Sequence, residues 1–378
     1  MKNRYFIFLL LLTVFSISSC IQDEAPNAEC DIVSVDEVWL EENKGIIIGK
    51  PVITNNLVKF NVKNVSFETL KELDPIFDLT KGAEIEKIGE PIEDGESSLI
   101  MQYRTFAEDG VWWKDYKIIF IKPTVIPKNH VFSFENFSLD SSGKYYTWHE
   151  IINNTQLDWW SNGNPGFKMV ASNKPANNYP TTIDEEGLSG RCIKLTTRDT
   201  GIFGKMAGMP IAAGSIFLGE FDNTNAMKAP LEATKFGLQI AQGKPATLTG
   251  YYKYTPGATF TDKNKNAVEN RRDACAIYSV VFEVDPENFV PLNGSNITSS
   301  DRIVLIAEMK DPGEPAEWTE FNIPFEPKNG KKFDYNKLAN NEYAITVVAS
   351  SSKDGAFFEG AIGSTLLVDE IKIDWEQQ

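Results

Sequence analysis

Near its end the chain reads Leu366-Leu367-Val368-Asp369-Glu370-Ile371-Lys372-Ile373, an apolar, β-branched run with two adjacent carboxylates in its middle. Successive strand residues face opposite ways, so one of the two acids should point inward. A buried carboxylate needs a cation or a set of hydrogen-bond donors. Far upstream, "FSFENF" sets Glu135 between aromatic residues. If the two stretches are neighbouring strands, Glu135 and Asp369 converge at one edge. Two carboxylates with loop carbonyls would suit a structural Ca²⁺, with Asp369 on the metal and Glu370 in solvent. The alternative is that Asp369 accepts peptide N–H bonds and no metal is present.

Other acids could do catalytic work. Glycoside hydrolysis needs two carboxylates roughly 5–9 Å apart across the sugar. Glu150 with Asp158 is one candidate pair, and Glu135 with Asp369 is another if no cation is bound. Glu283, Asp285 and Glu287 share a face at strand spacing, although Pro286 interrupts the strand. With 53 Asp and Glu residues, such pairs also arise by chance, and no E-x-D-x-x-E glucanase motif is present. No catalytic residue is therefore assigned. The two histidines, His130 and His149, leave no room for Ser-His-Asp or Cys-His catalysis or for a multi-histidine metal site.

Aromatic and amide groups suggest a different chemistry. Sugar rings stack their C–H faces on Trp and Tyr, while amides and acids meet their hydroxyls. "DWWSNGN" brings together Asp158, Trp159, Trp160, Asn162 and Asn164. Read as strand neighbours, one Trp is core and the other is exposed to ligand. In "YYKY", Tyr252 and Tyr254 share one face, Tyr251 and Lys253 the other. These stretches are the glycan-binding candidates. Trp318 and Trp375 read as packing residues, and Trp112-Trp113 as one core and one exposed residue.

The elements that must position these groups are strands. Short β-rich runs separated by Gly, Asn, Pro and Asp loops fill the chain, and helical stripes of any length are absent. Residues 30–123 read as a small immunoglobulin-like β-sandwich, and 130–376 as a larger jelly-roll β-sandwich, making the protein all-β. Pro123 and Pro127 mark the linker. Residues 1–19 have a basic start and a short apolar run, as a signal peptide does. Ile17-Ser18-Ser19-Cys20 looks like a lipobox, with Cys20 the lipidated residue and 20–29 a tether. The lipid would attach the protein to a membrane without a spanning segment. Asp23-Glu24 after the cysteine resembles a surface-export signal of Bacteroidetes lipoproteins, which places the protein on the outer membrane at the cell surface. The formal net charge of −16 argues against nucleic acid as a partner. Cys30, Cys192 and Cys275 have no C-x-x-C spacing; a Cys192–Cys275 bridge and two separate buried thiols are both compatible with the sequence.

Four separated stretches carry a family resemblance. They are "TWHEIINNTQLDWWSNGN", "AGMPIAAGSIFLGEF", "LTGYYKYTPG" and "SSSKDGAFFEGAIGSTLLVDEIKI". In this order they resemble the putative carbohydrate metabolism domain of Bacteroidetes lipoproteins, over about Ile151 to Asp374. The "FE" and "VD" stretches also resemble calcium-holding strands of galactose-binding-like carbohydrate-binding modules. The resemblance implies an N-terminal immunoglobulin-like domain, a C-terminal jelly roll and a carbohydrate-related role. It supplies no catalytic residue. The expectation is a surface lipoprotein that binds glycan through its jelly roll, accessory to polysaccharide uptake and working with partner proteins of that system. A carboxylate-dependent glycoside hydrolase or lyase is one alternative, and a structural or adhesion protein that binds another protein is a second.

Cys20→Ser should leave the protein unprocessed or release it from membranes, read by detergent-phase partitioning of cell fractions. Wild-type protein found wholly in the soluble periplasmic fraction would refute the anchor.

Overall fold

The computed structural model describes residues 25–376 apart from 63–64, 95–97, 123–125, 153–154, 225, 242 and 287. The leader, Cys20 and Glu287 lie outside the described residues. The architecture is all-β, with short helices set between strands.

The N-terminal unit is a sheet in the order Ile47–Thr54, Leu57–Val62, Trp113–Ile121, Ser98–Phe106 and Glu84–Lys87, with Ile92–Asp94 also paired to Ser98–Phe106. Strict alternation makes Ser98–Phe106 amphipathic. Leu99, Met101, Tyr103 and Thr105 are buried and their neighbours are not. Phe60 and Phe120 stack in the core at 5.0 Å. Trp112 and Trp113 are both exposed, contrary to the one-in, one-out expectation. Trp113 is instead covered by the Arg104 guanidinium, 4.1 Å from the ring centre.

The C-terminal unit packs two antiparallel sheets face to face. One runs in the order Thr181–Asp184, Cys192–Thr196, Thr365–Trp375, Pro245–Thr255, Thr319–Pro324, with Val131–Phe132 paired to Thr365–Trp375. The first and last strands of this unit are thus neighbours, with Phe132 opposite Ile371. The other sheet has nine strands centred on Ser215–Phe221, Tyr343–Ser350, Ala276–Glu283 and Ile303–Glu308. Ile216, Leu218, Ile277, Val281, Ile345 and Val347 from the nine-stranded sheet meet Ile193, Leu248, Leu366, Val368 and Ile371 from the other in one core. Trp375 packs at the edge of this core, and Trp318 lies half-buried under Lys253. The opposite face of the nine-stranded sheet carries a second apolar cluster around Phe217, Phe236, Val280 and Phe282.

The acid pair in the last strand is resolved by a bulge. Tyr251 pairs with Asp369 and Thr249 with Lys372, so Glu370 and Ile371 together oppose Gly250. Glu370 takes a left-handed conformation, φ 51°. Val368 and Ile371 both face the core, Asp369 lies on the outer face with Tyr251, and Glu370 is the extra residue. One acid is buried as expected, but Asp369 is covered by the loop at Leu188 and Ser189 on the outer face and does not point between the sheets. Gly250 is required opposite the bulge, since a Cβ would stand 2.6 Å from the Phe321 ring.

Helices read as absent from the sequence do occur. The longest in this unit, Asn164–Ala171, starts with Pro at its first turn and buries Phe167 and Ala171, four residues apart. Trp159 and Trp160 are both core residues, 4% and 5% exposed. Trp160 is in a strand opposite Leu218, against Phe132 and Phe134. Trp159 precedes that strand, so alternation does not apply to it. Its ring lies 6.1 Å from His130, edge to face. Glu150 secures this corner. Its carboxylate accepts the Trp160 indole N–H at 2.7 Å and meets His130 Nε2 at 2.9 Å.

Glu150→Ala should strand a buried indole N–H and a histidine. A loss of about 2–3 kcal/mol is expected from the unmet groups, with a Tm lower by roughly 5–10 °C. Glu150→Gln, which keeps an acceptor for Trp160, should recover much of it. Equal melting of wild type and Glu150→Ala would refute this role.

Candidate functional site

The loop Gly187–Arg191 is pinned by the two acids expected to share a metal. Asp369 Oδ2 accepts the Leu188 and Ser189 peptide N–H groups at 2.8 and 3.2 Å, and Oδ1 accepts that of Glu370 at 2.9 Å. Glu135 Oε1 accepts the Arg191 N–H at 2.7 Å. A Cβ on Gly190 would collide with the Glu135 carboxylate, and one on Gly187 would lie 3.0 Å from Asp369 Oδ2. Both Asp369 oxygens and Glu135 Oε1 are thus taken up by peptide N–H donors. Among the described residues no group of three or more His, Cys, Asp or Glu side chains is placed to hold a metal. Burial raises the Asp369 carboxyl to about 6 despite the three N–H donors, with Glu370 adding to the rise. Burial, and then the charge of Glu135, also raise Glu370.

Most of the predicted ligand residues are internal. Tyr252 and Tyr254 are core residues whose hydroxyls donate to Pro312 O and, at 3.2 Å, Ser351 O. Asn164 is fully buried and mimics a strand partner, donating to Thr181 O at 2.8 Å and accepting from Thr181 N at 3.0 Å. Asn162 is buried too, with its amide on Tyr146 O and its carbonyl on Asn164 N. These amides were mistaken for ligand groups because composition cannot say which hydrogen bonds the backbone already claims. Of the candidate acid pairs, Glu150 is buried on Trp160 and His130, while Asp158 is exposed and bonded to Gln156. Glu283 sits between Lys331 and Lys337 as an ion pair. Cys192 and Cys275 are free, buried thiols pushed up to about 12 by burial.

Two concavities among the described residues bear on the site. The first is a cavity of about 210 Å³ on the outer face of the nine-stranded sheet, roofed by the Asn164–Ala171 helix and the 226–231 and 355–358 segments. Phe167, Phe217, Phe236, Tyr278, Met209 and Val348 are among its walls. One wall is held by a buried acid. Asp273 Oδ2 accepts the Ser352 hydroxyl at 2.6 Å, the Ser364 hydroxyl at 2.7 Å and the Ala361 N–H at 2.7 Å. Thr197 joins the network through Ser351 and Ser352. The second is an open cleft of about 610 Å³ where Val52, Thr54, Leu57 and Lys59 of the N-terminal unit face the C-terminal one. Asp140, Asp158, Glu220, His149, Gln156 and Ser161 line it, with Trp148 and Trp160 behind. Burial works to raise Asp140, but the Ser142 hydroxyl and the Lys144, Tyr145 and Ser142 N–H groups outweigh it and hold the group well below the ordinary carboxylate range. These donors favour the anionic form of Asp140. The Trp148 indole N–H is buried and finds no acceptor among the described residues.

Part of the cavity wall comes from two stretches that carry the family resemblance, residues 207–221 and 350–373. The family model described as "Putative carbohydrate metabolism domain" matches residues 133–374. The chain belongs to this family. Two solved members of the structural neighbourhood are similar to it. One, described as a putative glycoside hydrolase from Bacteroides thetaiotaomicron, is 38% identical, with a TM-score of 0.76, covering 94% of this chain and 100% of its own. The other, a putative glycoside hydrolase from Bacteroides vulgatus, is 39% identical, with a TM-score of 0.60, covering 66% of this chain and 98% of its own. No curated protein matches the chain. As a putative carbohydrate metabolism domain protein, the chain joins an all-β sandwich to a carbohydrate-related role.

The raised Asp369 carboxyl gives a pH signature. Folding holds its proton more tightly than the unfolded chain does, whose value is near 3.8. Its contribution is therefore most favourable below about 4 and is lost as pH rises through about 6. Asp369→Asn cannot ionise. Between pH 4 and 6.5 the wild type should lose roughly 2–3 kcal/mol relative to it, at about 1.4 kcal/mol per pKa unit. Chemical denaturation across that range measures the difference, and parallel curves would refute it.

Proposed function

We propose that this protein is a lipid-anchored outer-membrane surface protein that holds a glycan in the cleft between its two β units, as an accessory to polysaccharide uptake. The observation that carries the reading is the makeup of the cleft. Ligand sites favour domain interfaces and volumes of roughly 300–1,000 Å³, and the cleft of about 610 Å³ meets both conditions. Its wall mixes acids, an amide, hydroxyls and an imidazole with the apolar surfaces of Leu57, Leu139 and Phe221. That mixture suits a ligand with hydroxyl edges and C–H faces. The unpaired Trp148 N–H supplies a donor that a buried site should not leave unmet. Asp158 and Ser161 are the polar members of "DWWSNGN" that reach the cleft, with Trp160 behind them. Binding here would rest on hydrogen bonds more than on ring stacking.

Hydrolysis is the second reading. Asp158 and Glu220 line the same cleft, and the two similar structures are described as putative glycoside hydrolases.

A glycan array probed with the chain lacking its leader should give a defined set of hits. Asp158→Ala should weaken them about tenfold without changing the melting temperature, because Asp158 is exposed. An empty array with folded protein, or hits indifferent to Asp158→Ala, would refute the site. New reducing ends released from a hit, and lost in Glu220→Gln, would make the hydrolase reading the correct one.

A further inference from the structure

We infer that the cavity on the outer face of the nine-stranded sheet is a binding site for an aromatic ring. The link to glycan rests on the reading above: there, the ring would be an aglycone or ester substituent carried by the glycan in the cleft. The cavity suits a sugar poorly. Four of its hydroxyls already donate within the protein: Ser350 to Ser352 O, Ser352 to Asp273, Thr200 to Met209 O and Thr234 to Leu231 O, which leaves only Ser215 and Tyr278 to meet a ring of hydroxyls. No carboxylate is among its lining residues. A sugar placed there would bury hydroxyls without partners, at a cost of about 1–3 kcal/mol each.

Size and shape favour a ring. A cavity of about 150 Å³ lined by aliphatic and aromatic residues holds benzene, so about 210 Å³ seats one ring with a small substituent. The walls present ring edges and faces from Phe167, Phe217, Phe221, Phe236, Phe358 and Tyr278. Aromatic pairs gain attraction beyond the area they bury, and Met209 and Met227 add polarizable sulfur. An alkyl chain would gain only the area. Lys353 is the charged residue on the wall, with its ammonium 4.0 Å from Glu308 and half exposed. It suits a ring bearing a carboxylate or phenolic oxygen. Phe221 lines both the cavity and the cleft, so the two lie side by side. Gly166 allows that ring its position, since a Cβ would approach Phe221 Cζ to 3.2 Å.

The probes are benzoate, its saturated analogue cyclohexanecarboxylate, and octanoate, each titrated calorimetrically into the chain lacking its leader. Benzoate should bind saturably and at least tenfold more tightly than either other acid. Ala276→Leu and Val348→Phe each fill the cavity from the sheet side. In whichever of them unfolds cooperatively, benzoate affinity should fall at least tenfold. No benzoate binding to folded wild type, binding unchanged in a folded variant, or tighter binding of octanoate would each overturn the inference. A glycan array on the same preparations separates the two readings. Array hits without benzoate binding sink the ring site alone. Benzoate binding that is lost in the variants, with an empty array, sustains the ring site and sinks the glycan reading.

Discussion

The buried carboxylate of Asp273 is the constraint on which the cavity depends. It is 5% exposed and accepts from two serine hydroxyls and a peptide N–H that lie on different parts of the 351–364 segment. That segment has little regular structure, and a loop without ladder bonds needs other partners for its polar groups. Asp273 provides them at one point, and Thr197 extends the network to Ser351. Because a carboxyl group has two oxygens and several lone pairs to accept with, a single residue can order many donors. Gly360 completes the fit: a Cβ there would press on Ser352 and stand 3.2 Å from Asp273 Oδ2. The rigid wall that results is what gives the neighbouring cavity a fixed shape.

The same device recurs across the C-terminal unit. Asp369 and Glu135 gather the Gly187–Arg191 loop, Asp140 gathers the 142–145 turn, and Glu150 gathers a tryptophan and a histidine. Much of the acidic character of the chain is therefore structural. Glu150 is occupied in this way by Trp160 and His130 while Asp158 stays at the surface on Gln156, so the two are not matched as a pair. The cleft differs in keeping Asp158 exposed at its rim.

Several features were legible in the sequence because they depend on local periodicity. The all-β class and the alternation in Ser98–Phe106 follow from patterns of two, and the pairing of first with last strand from the expected jelly-roll topology. The assignment of Tyr252 and Tyr254 to one face was correct, but their pattern could not tell core from ligand surface. Trp159 and Trp160 misled because the strand begins between them. The cavity was invisible: Phe167, Met209, Phe236, Tyr278 and Val348 come from five separate stretches, and no local signal unites them. The family stretches pointed to its walls but gave no chemistry for them.

The bulge at Glu370 has a consequence for chain length. Remove that one residue and the run Val368, Asp369, Ile371, Lys372 still alternates inward and outward in the same sense. In the sequence the inserted residue shows only as two adjacent acids, and the course of the backbone records which of them is extra. A bulge bends and twists its strand, and here it sets the direction in which the strand leaves the Asp369 clamp. Related chains could gain or lose a residue at this point with their inward faces intact, and an alignment that gives such a gap little weight would overlook a change in where the clamp aims.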